Sequence, residues 1–200
     1  MTERLQEEIR RKLFHLLTLI YVAGYWYLPR RVVLIGMGIT IFLAFVIEVV
    51  RLSHRKVNRL VLLLGVHRKS EENNLSGLLW TLSGAFFTMY FFENPQVALT
   101  KHIVLASLLW TSVSDTSAAI VGTSIGKIKI GSKTLEGSSA YFLTALALGY
   151  FILPWPVFLW GALLSTFFEA IKWPLNDNFW LPVLSAGALT QIMIRYGYIF

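Results

Sequence analysis

The chain has 200 residues, 56% of them hydrophobic and only 14% charged, and a formal net charge of +7. So apolar a composition excludes an ordinary soluble domain of this length and points to a polytopic membrane protein. Cysteine is absent, which excludes a disulfide framework, a thiolate metal site and a cysteine nucleophile.

A helix needs roughly 20 apolar residues to cross hydrocarbon. Runs of that kind predict an all-α transmembrane bundle of about seven spans, at 12–28, 32–50, 75–92, 99–121, 138–153, 156–172 and 179–197. The first run begins in RRKLFH, residues 10–15, where Arg11 and His15 are four apart and share a helix face, with Lys12 on a neighbouring line. No small-residue cleavage site follows it, so it is not read as a signal peptide. Tyr25, Trp26 and Tyr27 close the run as an interfacial aromatic belt, and Trp155, Trp160, Trp173 and Trp180 are read the same way.

Residues 51–74 form the longest loop. Its RLVLLLGV stretch, 59–66, is too short to span and reads as an amphipathic or interfacial helix. HRKSEENNLSG, 67–77, mixes charges before the third span, whose start Asn74 or Ser76 can cap. Gly77, Ser83, Gly84 and Ala85 permit close helix approach there.

The fourth span carries Asp115 in SVSDTSAAIVG. An aspartate in a membrane helix costs a few kcal/mol on insertion scales, roughly 3, and marks function unless it only packs helices. Its carboxylate is a hard ligand suited to a divalent cation. The segment that follows, 122–137, combines Gly122, Gly126 and Gly131 with Lys127, Lys129 and Lys133 and reads as a phosphate-binding loop. GKIKIGSKT approaches the nucleotide loop GxxxxGK[ST] but has Ser132 as an extra residue and follows a membrane span instead of a strand, so only its physics carries over. A helix starting near Ser138 would aim its N-terminus at the same anion. Pro154 and Pro156 mark a tight turn between the short fifth and sixth spans. EAIKWPLNDNFWLP, 169–182, brings Glu169, Asp177 and Asn178 to the same face.

Fourteen of the 18 lysines and arginines fall on the N-terminal side of these spans, which predicts a cytoplasmic N-terminus and a cytoplasmic site. Basic juxtamembrane residues also hold anionic headgroups. Nucleic acid is excluded as a partner because no soluble domain presents a groove reader. No residue pattern speaks to oligomeric state.

RK-x-x-H at 11–15, D-x-x-A-A-x-x-G-x-x-x-G from Asp115, K-T-x-E-G-S from Lys133, and E…DN…P from Glu169 to Pro182 together resemble the polytopic lipid kinases that use CTP: dolichol kinase, phytol kinase and CTP-dependent diacylglycerol kinase. The resemblance runs in order over most of the chain, residue 11 to about 182, as one membrane-embedded kinase domain. It implies transfer of the γ-phosphate of CTP to the hydroxyl of a membrane lipid alcohol, whether polyprenol or dolichol, phytol or diacylglycerol. On that footing Asp115 binds Mg²⁺ with Glu136 or Asp177 as second ligand. Lys127 and Lys133 hold phosphates, and Arg11 and Lys12 steady the triphosphate or the product. Gly122, Gly126, Thr134 and Gly137 complete the nucleotide loop. Asp115, Asp177 and His15 are the candidate bases, and Glu169 and Asn178 are further site candidates.

The central block is also similar to that of phosphatidate cytidylyltransferase, whose pattern has the form S-P-K-K-T-W-E-G. GSKTLEGS and the NDNFWLP ending favour the kinase branch and leave the transferase as the alternative. A transporter of an anionic solute is a second alternative, disfavoured because the charged groups lie in loops at one face and no inverted repeat is visible.

Overall fold

A computed structural model describes residues 3–63 and 71–199. The end of the RLVLLLGV run and the HRKS segment, 64–70, lie outside the described residues. The described chain is almost wholly helical: α1 Glu3–Leu16, α2 Leu19–Tyr27, α3 Arg30–Ser53, α4 Arg55–Leu63, α5 Gly77–Phe92, α6 Ala98–Leu109, α7 Asp115–Ser124, α8 Leu135–Ile152, α9 Val157–Ala170 and α10 Asp177–Arg195. A π-helical turn, Trp110–Ser114, joins α6 to α7 without a break.

Helices lie on all seven apolar runs. Two of them, Arg30–Ser53 and Ala98–Ser124, are long and apolar enough to cross a membrane by length and composition. α5 and α9 are apolar but shorter, about 24 and 21 Å at 1.5 Å per residue. The first run is not one helix as expected but breaks between α1 and α2, at Leu17 and Thr18. The long loop contributes α4, as an amphipathic helix there would.

Local chemistry explains the ends. Ser76 caps α5 by accepting the Leu79 amide at 3.4 Å, Thr134 caps α8 through the Gly137 amide at 3.2 Å, and Asn176 caps α10 through the Asn178 amide at 2.9 Å. α8 therefore starts at Leu135, one turn earlier than the sequence suggested. The stretch between α7 and α8 is not a plain loop. It folds into a minimal antiparallel hairpin of β1 Lys129–Ile130 and β2 Lys133–Thr134, with Lys129 opposite Thr134 and Ile130 opposite Lys133. Gly131 turns it with φ +59°, a conformation other residues adopt only at a cost.

Two apolar clusters hold the bundle. Tyr25, Val33, Met37, Met89, Val104 and Leu108 join α2, α3, α5 and α6, while Trp110, Tyr141, Ala145, Val157, Ala162, Leu189 and Met193 join the π turn to α8, α9 and α10. Tyr25 is thus a core residue at 1% exposure instead of a belt aromatic, whereas Trp26 and Tyr27 stay exposed.

Close helix crossings occur where side chains vanish. A Cβ on Gly84 would stand 2.9 Å from the Asn178 carbonyl, which Pro182 of α10, lacking an N–H, cannot satisfy from four residues on. A Cβ on Gly137 would stand 2.9 Å from the Ala118 carbonyl, so α7 and α8 approach along Gly122 and Gly137.

The polar pairs of the described residues fall into two groups. In one, Arg30 pairs with Glu93 at 3.0 Å and Lys101 donates to the Trp26 carbonyl at 3.1 Å. In the other lie the α1 and α7 lysine and aspartate, the hairpin, the start of α10 and a buried arginine. That arginine, Arg51, is fully buried at the end of α3. It pairs with Glu48 at 2.7 Å and donates to Asn58 Oδ1 and to the carbonyls of Glu71 and Asn74, while Glu48 accepts the Ser76 amide at 2.9 Å. Every charge in this knot has a partner, the condition for tolerating it away from water, and it fixes segment 71–76 against α3 and α4.

Candidate active site

Beside the second group opens a cleft of about 1200 Å³ whose walls come from α1, segment 71–75, α5, α7, the hairpin and the link from α9 to α10. Asp115, Lys133 and Asp177 all line it, although they lie far apart in sequence. Arg11, Lys12, Gly122, Gly126, Thr134, Gly137, Glu169 and Asn178 line it as well. Lys127, Glu136 and His15 do not.

The π turn sets the floor. Its wide loop releases the Thr111 carbonyl toward α1, where His15 Nε2 meets it at 3.0 Å. One turn later Thr18 Oγ1 meets Ser112 Oγ at 3.0 Å, and one turn earlier Lys12 Nζ donates to Asp115 Oδ2. Lys12 and His15 on one face of α1, with Thr18 in the break just after it, read the turn. The face assigned from sequence was Arg11 with His15. Instead Arg11 turns aside to pair with Glu8, and His15 is a buried structural residue that does not reach the cleft. Lys12 and Asp115 are themselves 2% and 8% exposed.

Lys133 bridges the opposite wall. Its Nζ is 2.9 Å from Glu169 Oε1 and 4.0 Å from Asp177 Oδ2. Burial alone would lower its pKa, but the Asp115, Glu169 and Asp177 carboxylates outweigh that and raise it, so the ammonium stays charged. Glu169 accepts a second hydrogen bond from the Ser138 hydroxyl at 3.1 Å. Asn178 Nδ2 donates to the Gly77 carbonyl at 3.3 Å and joins α10 to α5 at the rim.

Glu136 has a different task. Its carboxylate accepts the amides of Lys127 at 3.0 Å and Ile128 at 3.2 Å, bracing the base of the hairpin. Its own amide and those two hold its pKa below the ordinary glutamate value. The glycines also have a packing role. A Cβ on Gly122 or Gly126 would lie 2.8 Å from Thr134 Oγ1, so they make room for the cap of α8. The cleft lysines of the hairpin are Lys129 and Lys133, not Lys127.

Sequence reasoning passed over Glu48 and Lys172, and took Trp173 for a belt residue. The structure puts Lys172 and Trp173 in the cleft, the indole N–H tied to the Phe168 carbonyl at 2.8 Å. The acidic residue inside a 24-residue apolar helix was the missed signal for Glu48, and the i, i+3 arginine was its partner.

Among the described residues no group of three or more histidine, aspartate or glutamate side chains is close enough to hold a metal ion. Asp115 lies against Lys12, while Glu169 and Asp177 share Lys133. Oxygen donors of this kind suit magnesium in its usual mode, one or two carboxylates plus the phosphates of a substrate. Asp177, its side chain 43% exposed, fits that mode; Glu136 does not.

No family model matches the chain, and no solved structure matches it. It is 29% identical to CTP-dependent diacylglycerol kinase 1 of Saccharomyces cerevisiae, over 94% of the chain and 74% of that protein. It is 30% identical to CTP-dependent diacylglycerol kinase 1 of Eremothecium gossypii, over 90% of the chain and 66% of that protein. An uncharacterised protein of Rickettsia prowazekii is 29% identical over 72% of the chain and 70% of its own length.

Proposed function

We propose that the chain, a distant homologue of proteins named CTP-dependent diacylglycerol kinases, is a membrane-embedded lipid kinase that moves the γ-phosphate of CTP onto a lipid hydroxyl, with diacylglycerol the first acceptor to test and polyprenol and phytol the others. One observation carries this beyond the relatives. The lysine and aspartate of the first and fourth apolar runs and the lysine of the hairpin converge on a single cleft large enough for a nucleotide.

In the proposed reaction the lipid hydroxyl oxygen forms a bond to the γ-phosphorus as the bond to the β,γ-bridging oxygen breaks. CDP leaves with that electron pair. The transition state is loose and asks for positioning and charge neutralisation more than covalent help. Lys12, Lys129 and Lys133, with Arg11 at the rim, supply the positive charge. Asp115 has Oδ2 on Lys12 and offers Oδ1 to the hydroxyl proton. Asp115, hydrogen-bonded to an ammonium, is a poorer cation holder than Asp177, which has its ammonium 4.0 Å away and would hold a divalent ion together with the phosphates. That ion, when bound, supplies charge neutralisation to the triphosphate. His15, turned to the Thr111 carbonyl and outside the cleft lining, is left out of this proposed reaction.

The test is a labelling experiment on purified protein in mixed micelles, with CTP labelled at either the α or the γ position and each lipid alcohol in turn. Label from the γ position alone is expected in the lipid, with CTP preferred over ATP, and Asp115→Asn is expected to reduce it at least 100-fold. Label from the α position in the lipid would mean cytidylyl transfer and would overturn the kinase assignment.

A further inference from the structure

We propose that Glu169, held by Ser138, is a positioning residue that aims the Lys133 ammonium at the phosphoryl group in flight; this rests on the kinase reading above. Glu169 is 4% exposed in the last turn of α9 and has both oxygens engaged, Oε1 by Lys133 Nζ at 2.9 Å and Oε2 by the Ser138 hydroxyl at 3.1 Å. Directly beneath, Tyr141 Oη lies 2.7 Å from Ser165 Oγ, which lies 2.7 Å from Ser185 Oγ. Ser138 and Tyr141 are one turn apart on α8, as Ser165 and Glu169 are on α9, so a two-rung polar ladder fixes the rotamer of the carboxylate.

A lysine is a point charge on a flexible stem. Here both ends of the stem are held. The root leaves a hairpin braced by Glu136, and the head is caught by a carboxylate that cannot move. Asp177, 4.0 Å away and partly exposed, is too loose for that task. An ammonium has three protons. One bond to Glu169 leaves two for phosphate oxygens, so Lys133 need not let go of Glu169 in order to act. A cation preset in this way favours the transition state over the bound substrate, which places its effect in kcat.

The experiment compares wild type, Glu169→Gln, Glu169→Asp and Ser138→Ala in the γ-labelling assay, with thermal midpoints measured in the same micelles. Glu169→Gln keeps the shape and the serine contact but loses the charge. It is expected to lower kcat 10- to 100-fold, with KM for CTP within about threefold of wild type and the midpoint unchanged. Glu169→Asp is expected to recover part of kcat, and Ser138→Ala to lose a few fold in kcat alone. Acylation of Lys133 by a soluble amine reagent, followed by mass spectrometry, is expected to be faster in Glu169→Gln than in wild type.

An unchanged kcat in Glu169→Gln, or a rise in KM without a fall in kcat, refutes the positioning role. So does a loss of activity that merely tracks a fall in midpoint, with Ser138→Ala deciding the matter if Glu169→Gln does not fold. Wild-type protein that phosphorylates no lipid alcohol defeats the proposed function itself, and the positioning role with it.

Discussion

Lys12 and Asp115 sit where neither would be stable alone. Removing one partner of a buried pair typically costs about 3–5 kcal/mol, because the other charge is stranded, while replacing both by apolar residues of similar size costs far less. Lys12→Met is therefore expected to lower the unfolding free energy by about that amount, and Lys12→Met with Asp115→Leu to regain most of it, both variants being inactive. Denaturant titration in detergent measures the cycle. A different pH dependence belongs to Glu136. Its pKa is lower in the folded protein than in the unfolded chain, so the brace on the hairpin is in place above the ordinary glutamate value and is lost as pH falls through the depressed one. A spin label at Ser132→Cys, in a chain with no other cysteine, is expected to gain mobility over that acidic window. In Glu136→Gln it should be mobile at every pH. The sequence made Asp115 visible because an acid inside an apolar run stands out. Lys12 was visible only as one of a basic cluster, since nothing in RRKLFH says which cation turns inward.

At the scale of elements, the π turn is the part that sequence concealed most fully. WTSVS has no glycine or proline to announce a widened turn, and the apolar period on either side looks continuous. Its effect is rotational: the extra residue turns Asp115 onto the face that meets α1, and frees the Thr111 carbonyl for His15. Deleting Val113 should restore an ordinary helix and rotate Asp115 by about 100° relative to α6. Expected are unchanged helical content by circular dichroism and complete loss of lipid phosphorylation. The apolar runs themselves were legible, because length and hydropathy dictate them. The hairpin was hidden because two-residue strands have no periodicity to read. Gly122 and Gly126 were noticed for close approach of backbone to an anion, and in the structure the Thr134 cap of α8 lies against both.

For the whole molecule, the cleft-forming polar segments gather together and the exposed flank of α3 is apolar. α3 leaves Ile35, Ile39, Phe42 and Ile47 more than half exposed, a surface that water would penalise and acyl chains would not. With the protein in sealed vesicles, Ile39→Cys and Phe42→Cys are expected to resist a membrane-impermeant maleimide. Ser132→Cys and Arg31→Cys should react from opposite sides, Ser132→Cys from the cytoplasmic one. Reaction of both from the same side would contradict a bundle that crosses the bilayer.

Trp110 is fully buried within the bundle, with its ring against the gaps left by Gly149 and Gly161. So large a side chain fills the space among α8, α9 and α10 through which a headgroup crossing the bundle interior would have to pass. On the proposed reading, an alcohol drawn from one leaflet is returned to that same leaflet as its phosphate ester, and reaching the other monolayer is left to separate machinery.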